Sequence, residues 1–264
     1  MTTIFDKIYV LSLTTNKIRQ KFIQYQMNEL GLDFEFIYGT DFSNIKYDSR
    51  GREITYPRMF YEDDSKSTAK DFGCAISHYQ AILQAYEFGY DSVLILEDDI
   101  CLLKDKQTLQ HYLLSILDIV NKSDFITFDP RFIISSQFYQ FRNQINSSNE
   151  NYVFLDNSYD ALCGGMMYGI MNRETMKLYL EKQHNSFIMS DHIMGIFFDP
   201  IVKRYVCKKC LCTDQLNINF NFNLNDNMQC YKNIYYDIEN LSVDNFYIPN
   251  ENHIMSRDIY IPQL

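Results

Sequence analysis

The sequence of 264 residues contains no tryptophan and no apolar run long enough to cross a bilayer. A membrane-spanning helix needs about 20 consecutive, mostly apolar residues. The chain begins MTTIFDKIYVLSL, so Asp6 and Lys7 interrupt the apolar character after only two residues. This start lacks the basic region and the longer apolar segment of a secretion signal. We therefore expect neither a transmembrane segment nor a signal peptide.

Positive charge is also scarce. Lysine and arginine together number 24 against 34 aspartate and glutamate residues, which gives a net charge of −10. Proteins whose main ligand is a nucleic acid contact its phosphates mostly through clustered Lys and Arg, so a nucleic-acid partner is not expected. A nucleotide remains compatible with this composition, because a divalent metal can bridge a diphosphate to acidic side chains.

The seven cysteines form an odd count, and only three of them cluster, in the segment CKKCLC at Cys207, Cys210 and Cys212. Without a secretion signal, we expect reduced thiols and a cytoplasmic protein. The C-x₂-C spacing matches half of a zinc site, and Cys230 alone follows to complete a set of four. A structural zinc is therefore the less favoured interpretation.

Strand and helix patterns alternate along the first part of the chain. KIYVLSL (7–13) predicts a strand, the apolar spacing over 17–30 predicts a helix that stops at Gly31, and FEFIYG (34–39) predicts a second strand. A strand, a helix and a strand within 40 residues predict a right-handed crossover and a parallel pair.

The pattern continues with a long amphipathic helix within 70–90 that closes near Gly89. Further elements are predicted as a strand directly after this helix, a helix over 106–120, strands over 125–129 and 164–171, and a helix over 173–182. Beyond them lies a tail rich in Asn and Asp without clear periodicity. We interpret residues 1–264 as one α/β domain with a divergent C-terminal part from about residue 205.

One strand ends in three adjacent acids. DSVLILEDDICLL (91–103) places Glu97, Asp98 and Asp99 directly after a buried apolar run. In open α/β sheets, ligands bind beyond the carboxyl ends of the strands. If the extended conformation persists, Glu97 and Asp99 share a face and Asp98 points away. Two carboxylates on one face suit a hard cation such as Mn²⁺ or Mg²⁺.

A plainer interpretation of the acids is that the strand ends at Leu96 and that they form a solvated turn. Against this, the apolar residues Ile100 and Cys101 follow the acids at once, so the acids have apolar neighbours on both sides. From the residues alone, the two interpretations remain open.

Four segments, in order, resemble glycosyltransferase family 25, which includes bacterial lipooligosaccharide galactosyltransferases and collagen hydroxylysine galactosyltransferases. The segments are IYVLSL with the following helix and LGLDFEFIYGTD, then FGCAISHYQAI, then VLILEDDI, and finally GGMMYGIMNRETMKLYLE with SDHIMGIFFDP. They span residues 7 to about 200. The combination of Gly-Cys-x-x-Ser-His with Leu-Glu-Asp-Asp about twenty residues later is the specific element.

The resemblance implies a GT-A type, Rossmann-like nucleotide-binding fold with a mixed, mostly parallel central sheet and an Asp-x-Asp-type metal motif. Position by position, Glu97 and Asp99 resemble ligands of Mn²⁺ or Mg²⁺, and Asp98 is the third acid of the motif. His253 is a further candidate metal ligand, with a solvated loop histidine as its alternative. Asp191 resembles an acid on the acceptor side, and we predict that it is the catalytic base.

The same resemblance implies an inverting enzyme that uses a UDP-sugar, with galactose or glucose as the hexose. Its acceptor would be a hydroxyl on a glycan or on a hydroxylysine-bearing protein. Predicted donor-binding positions are the end of the first strand, the acid after the second, two basic residues, the Ser-His pair and the central acid, namely Leu11, Ser12, Leu13, Asp41, Arg19, Lys70, Ser77, His78 and Asp98. As residues of an amphipathic helix, Ser77 and His78 could equally be structural.

Two rival functions remain. The family often has a more basic segment directly after its first strand than TTNKIRQK, whose basic residues are Lys17, Arg19 and Lys21, and the last 60 residues match no part of the family pattern. Both features favour a catalytically silent member of the fold that acts as a binding or scaffold protein. A metal-dependent phosphohydrolase is the weaker rival.

Overall fold

The computed structural model describes residues 4–42, 69–102, 106–120, 124–127, 152–155, 168–185, 203–207 and 212–214. These ranges contain nine strands: β1 (Lys7–Leu13), β2 (Glu35–Gly39), β3 (Ser92–Glu97), β4 (Ile100–Leu102), β5 (Phe125–Thr127), β6 (Tyr152–Leu155), β7 (Tyr168–Asn172), β8 (Arg204–Cys207) and β9 (Cys212–Asp214). They also contain five helices: α1 (Lys17–Leu30), α2 (Ala69–Glu87), α3 (Lys106–Ser115), α4 (Leu117–Val120) and α5 (Arg173–Asn185).

Seven of these strands form one sheet in the order β2-β1-β3-β7-β5-β8-β6. Strands β2, β1, β3, β5 and β8 run in one direction, and β7 and β6 run in the other. The predicted mixed, mostly parallel sheet is therefore confirmed, as is the parallel pairing of β1 with β2. Strands β4 and β9 form a separate antiparallel pair.

The central strands are apolar throughout because helices cover both faces of the sheet. Successive side chains of a strand point to opposite faces. Accordingly, Leu94 and Leu96 of β3 join a core cluster that includes residues of α1, α3 and α4. Val93 and Ile95 join a second cluster that includes residues of α2 and α5. Glu97 is thus the last residue of a strand whose neighbouring side chains enter different layers, and Asp98 follows it directly.

Glycines end the first two helices as predicted. Gly31 follows α1 with φ 66° and donates its backbone N–H to the carbonyl of Asn28. Gly89 follows α2 with φ 80°. Both φ values lie in the left-handed region, which costs glycine no clash with a Cβ atom and is common after a helix.

Several short elements differ from the sequence prediction. The helix predicted over 106–120 is interrupted at Ile116, which separates α3 from α4. The tail predicted to lack periodic structure contributes β8 to the main sheet and β9 to the partner of β4. Strands of three or four residues are too short to be identified from their own sequence pattern. They form because they pair with neighbouring strands. In the described ranges, no helix combines the length and apolarity that a bilayer crossing requires.

Candidate active site

The first three strands end at the same edge of the sheet. In the parallel register, Leu13 of β1 lies opposite Gly39 of β2, and Leu11 lies opposite Glu97 of β3. A cavity of about 500 Å³ opens at this edge, within the range typical of small-molecule sites. Its described lining residues are Leu11, Ser12, Leu13, Asn16, Arg19, Thr40, Asp41, Phe42, Lys70, Gly73, Cys74, Ser77, Glu97, Asp98 and Asp99.

The structure brings most of the predicted site residues together around this cavity. Those that line it are Leu11, Ser12, Leu13, Arg19, Asp41, Lys70, Ser77, Glu97, Asp98 and Asp99. His78 is fully buried and contacts Glu97. Asp191 and His253 lie outside the described residues. The roles assigned to all of these residues remain predictions. The proximity of those that the structure describes is a finding.

Asp98 is held from the side of β1 and α1. Its Oδ2 accepts hydrogen bonds from Ser12 Oγ at 2.6 Å and Asn16 Nδ2 at 3.0 Å, and its Oδ1 accepts one from Arg19 Nη1 at 2.9 Å. Gln20 Nε2 in turn donates to Ser12 Oγ at 3.3 Å and to the Leu13 carbonyl at 2.6 Å. These contacts offset the cost of burying Asp98, whose exposure is only 5%.

Of the two interpretations left open for the acids, the structure shows the turn and not the continued strand. Strand β3 ends at Glu97, and residues 98 and 99 form a turn before β4 begins at Ile100. The side chain of Gln26 secures the far side of this turn, because it donates to the Ile100 carbonyl at 3.2 Å and accepts from the Leu102 N–H at 2.7 Å. Strand alternation therefore cannot be used to place Glu97 and Asp99 on one face.

Asp99 lies beside Asp98 at the cavity wall. Its Oδ2 is 3.6 Å from Arg19 Nη1, the same guanidinium nitrogen that binds Asp98. The side chain of Asp99 is 24% exposed, against 7% for Asp98. The outer of the two aspartates is thus the one that a bound ligand can reach.

Glu97 faces the opposite layer and contacts α2. His78 Nε2 lies 2.9 Å from Glu97 Oε1, and the Cys74 thiol donates to the same oxygen at 3.3 Å. Burial by itself would raise the pKa of Glu97. The hydrogen bond and charge of His78, the Cys74 thiol and the Arg19 guanidinium outweigh burial, so the pKa of Glu97 lies below its ordinary value. Glu97 is therefore a carboxylate at neutral pH.

Two glycines let α2 approach the end of β2. A Cβ on Gly39 would collide with the Ser77 side chain, and a Cβ on Gly73 would lie 2.9 Å from the Thr40 carbonyl oxygen. Ser77 Oγ donates to the Gly73 carbonyl at 2.7 Å within the helix. Ser77 thus has a structural contact while also lining the cavity.

Several residues that structure the site were not among the candidates predicted from the sequence. Asn16 and Cys74 contact the acids directly, and Gln20 and Gln26 support them. Cys74 could have been predicted as a site residue from the sequence, because it lies four residues before the candidate His78 and residues four apart on a helix share a face. No such signal marks Gln26, whose partners are backbone groups of β4.

The charge of the lining suits a bound cation. The described lining has four carboxylates, Asp41, Glu97, Asp98 and Asp99, against two cationic side chains, Arg19 and Lys70. Hydrogen bonds reach both oxygens of Asp98, whereas His78 and Cys74 contact the same oxygen of Glu97. Asp99 is more exposed than Asp98, so Glu97 and Asp99 are the better candidates to bind a cation. Carboxylate oxygens are the ligands that Mn²⁺ and Mg²⁺ prefer.

Comparisons with known proteins give one family match and one remote structural similarity. The model of glycosyltransferase family 25 (LPS biosynthesis protein) matches residues 5–194. No curated protein sequence matches the chain. A solved structure, described as a glycosyltransferase involved in the glycosylation of the major capsid of PBCV-1, aligns with 89% of this chain and 99% of its own at 10% identity and a TM-score of 0.37.

The backbone similarity to that structure is low, and the assignment rests on the family match. That match covers more than half of the chain and includes β1, β2, β3 and the acids. The expected resemblance is therefore confirmed: the chain belongs to glycosyltransferase family 25 and is a glycosyltransferase.

Proposed function

We propose that this protein is a metal-dependent, inverting glycosyltransferase that moves a hexose from a UDP-sugar to an acceptor hydroxyl. The observation that carries the proposal is the cavity at the carboxyl ends of β1, β2 and β3, where four carboxylates meet Arg19 and Lys70. Nucleotides bind at this edge in open α/β sheets. The donor sugar is expected to be galactose or glucose.

In the proposed complex, the nucleoside lies near Leu11, Ser12, Leu13 and Asp41, and the diphosphate lies near Arg19 and Lys70. A diphosphate entering a lining with an excess of carboxylates would be repelled. Glu97 and Asp99 are the residues that would hold a Mn²⁺ or Mg²⁺ ion there, with His253 as a further candidate ligand. When bound, such an ion neutralises charge on the diphosphate and acts as a Lewis acid.

The remaining catalytic roles are proposed for side chains of the protein. Arg19 is held by Asp98 and points its guanidinium into the cavity region, where positive charge stabilises the departing UDP. Asp98 therefore acts through Arg19 as a positioning residue. Asp191 is proposed as the base that accepts the proton of the acceptor hydroxyl, a role typically contributing about 10² to 10⁴-fold. This attack on the face opposite UDP inverts the anomeric centre.

The acceptor is proposed to be a hydroxyl group of a glycan or of hydroxylysine in a protein. A carboxylate base on the acceptor side suits either hydroxyl. The two acceptor classes differ in size and charge around the reacting hydroxyl, so transfer assays with each acceptor can distinguish them. Transfer to a saccharide acceptor and transfer to a hydroxylysine peptide are the two readouts.

A panel of nucleotide sugars tests the proposal. The purified chain is incubated with UDP-galactose, UDP-glucose and matched GDP-sugars, with Mn²⁺ and with a chelator, and slow hydrolysis or transfer is scored. We expect turnover of a UDP-hexose only with Mn²⁺. Turnover independent of metal would contradict the metal role, and release of inorganic phosphate without any sugar transfer would favour a phosphohydrolase. An Asp191→Asn variant with near-normal turnover at saturating acceptor would exclude Asp191 as the base.

One observation favours a second candidate, a binding protein without catalysis. Glu97 and Asp98 already have protein partners in His78, Cys74, Ser12, Asn16 and Arg19. A site that never binds metal could keep these acids for structure alone. Calorimetric titration with UDP and Mn²⁺ separates the candidates: the transferase binds both together, whereas a silent protein that uses the acids structurally binds neither.

A further inference from the structure

Three side chains with different donor atoms lie close together at the cavity, where Cys74 and Glu97 line it and His78 is buried beside them. Cys74 Sγ, His78 Nε2 and a carboxylate oxygen of Glu97 all lie within 4.8 Å of one another. Cys74 and His78 are four residues apart on α2, so the helix places them on one face. Glu97 is delivered by the end of β3, which packs against that face.

The donor set is that of a borderline metal rather than a hard one. A thiolate, an imidazole and a carboxylate together favour Zn²⁺, whereas Mg²⁺ and Mn²⁺ favour sites made of oxygen. Zinc sites with three protein ligands keep a fourth position open for water or a ligand. Cys74 and Glu97 both line the cavity, so an open position here would face the cavity.

We propose that Cys74, His78 and Glu97 form a zinc-binding site, distinct from the proposed Mn²⁺ or Mg²⁺ site with Asp99. The two sites share Glu97. The zinc site uses α2 as its second support, whereas the oxygen-rich site lies on the side of the 98–99 turn.

Only a small movement separates the observed contacts from coordination. Glu97 Oε1 now lies 2.9 Å from His78 Nε2 and 3.3 Å from Cys74 Sγ. Donors around a tetrahedral zinc ion, with bonds of about 2.0 to 2.3 Å, lie roughly 3.3 to 3.6 Å apart. An opening of a few tenths of an ångström provides this spacing between Glu97 and His78, and Glu97 and Cys74 already have it. Cys74 and His78 lie within 4.8 Å of each other.

The protons balance in this step. The Cys74 thiol loses its proton to solvent as its sulfur binds the metal. His78 coordinates through Nε2, so any proton on that atom is also released to solvent and the remaining ring proton lies on Nδ1. Glu97 is already a carboxylate.

The second ring nitrogen of His78 limits the affinity. Its Nδ1 is buried and has no hydrogen-bond partner among the described residues. Metal-binding histidines are normally oriented by such a partner, and losing it costs about 10 to 100-fold in affinity. We therefore expect zinc binding weaker by this factor than at sites whose histidine has a partner.

Cobalt(II) titration of the full-length, metal-free protein tests the site, because a Co²⁺–thiolate bond produces a charge-transfer absorption. The cysteines of CKKCLC could also bind cobalt, so a Cys207→Ser/Cys210→Ser/Cys212→Ser variant serves as the background. In it, we expect one equivalent of Co²⁺ with a thiolate band that stoichiometric Zn²⁺ removes. Adding Cys74→Ser should abolish the band, and the matched control Cys230→Ser should leave it unchanged.

A band that disappears in the triple variant, or that survives Cys74→Ser, overturns the proposal. His78→Gln provides an independent arm and should weaken Co²⁺ binding at least about tenfold. Circular dichroism must show that each variant is folded. If His78→Gln is unfolded, the outcome is decided by Cys74→Ser, which changes a single atom. No nucleotide is present, so the result is separate from the test of UDP-sugar transfer.

Discussion

The three neighbouring acids have different environments because Glu97 ends strand β3, whereas Asp98 and Asp99 lie in the turn that follows it. Glu97 enters the layer of α2 and contacts Cys74 and His78. Asp98 enters the layer of α1, where three donors hold it. Asp99 lies in the turn that follows, more exposed than Asp98. The three acids should therefore respond differently to the same substitution.

Replacing Asp98 and Asp99 separately by asparagine tests this division. Asp98→Asn removes a charged acceptor from a buried network, and we expect a loss of about 2 kcal/mol of unfolding free energy. Asp99→Asn weakens a long contact between Arg19 and a more exposed side chain, and should cost less than about 1 kcal/mol. Asp99→Asn should instead abolish Mn²⁺ binding and sugar transfer.

Urea denaturation and Mn²⁺ titration of both variants provide the readouts, and each variant is the control for the other. An Asp99→Asn protein that is well folded and turns over at the normal rate would remove Asp99 from the metal site. Equal stability losses in the two variants would contradict the network assigned to Asp98.

The lowered pKa of Glu97 predicts a pH-dependent contribution to stability. A carboxyl group whose pKa is lower in the folded state stabilises the fold above its unfolded pKa, near 4.5, and loses this contribution as pH falls through the folded value. In metal-free buffer, the stability difference between wild type and Glu97→Gln should be constant near neutral pH and should shrink below about pH 4.5. Urea midpoints measured from pH 7 to pH 3 check this.

Glu87→Gln is the matched control, since Glu87 is exposed at the end of α2. Its stability difference from wild type should show no comparable shrinkage over the same range. A Glu97→Gln difference that grows as pH falls would mean that burial, and not the contacts with His78 and Cys74, dominates at Glu97.

At the scale of elements, the position of α2 against β2 depends on residues without side chains. Gly73 lies against the Thr40 carbonyl at the cavity edge, whereas a Cβ on Gly89 would meet no atom within 4 Å. A backbone carbonyl cannot rotate away as a side chain can. Gly73 thus sets how closely the N-terminal part of α2, with Lys70, Cys74 and Ser77, approaches the cavity.

Gly73→Ala should therefore displace α2 and lower stability by about 1 to 3 kcal/mol, with a loss of UDP affinity. Gly89→Ala should also lower stability, by about 1 kcal/mol, because alanine disfavours its φ of 80°. Gly89 lies away from the cavity lining, so UDP affinity should not change in that variant. Thermal unfolding and calorimetry of the pair test the claim, and equal UDP affinities in both variants would contradict it.

The elements that could be predicted from the sequence are those with a recognisable apolar run or a periodic spacing of apolar residues. Strand β1, helix α1, strand β2, helix α2 and strand β3 each have this pattern, and their order implied the shared edge where the site lies. Strands β4 and β9 have three residues each and exist through their mutual pairing. The sequence left open whether the acids after Glu97 continue the strand or form a turn, because the contacts of Asp98 with Ser12, Asn16 and Arg19 are distant in sequence.

At the scale of the whole molecule, charge opposes the proposed donor. The chain has a net charge of −10, and the described cavity lining has more carboxylates than cationic groups. An anionic diphosphate is therefore repelled both at long range and within the cavity unless a cation accompanies it. The sequence indicated this requirement through composition, whereas the placement of Arg19 and Lys70 at the lining required the fold.

Metal dependence should consequently track the diphosphate and not the nucleoside. We expect Mn²⁺ to tighten UDP binding at least about tenfold, which corresponds to about 1.4 kcal/mol, and to leave uridine binding unchanged. Since salt screens exposed charges, the advantage from Mn²⁺ should shrink as ionic strength rises. Calorimetry with UDP and uridine, each with Mn²⁺ and with a chelator, measures both effects. If UDP bound equally well without metal, Arg19 and Lys70 would suffice for the diphosphate, and Glu97 and Asp99 would need another role.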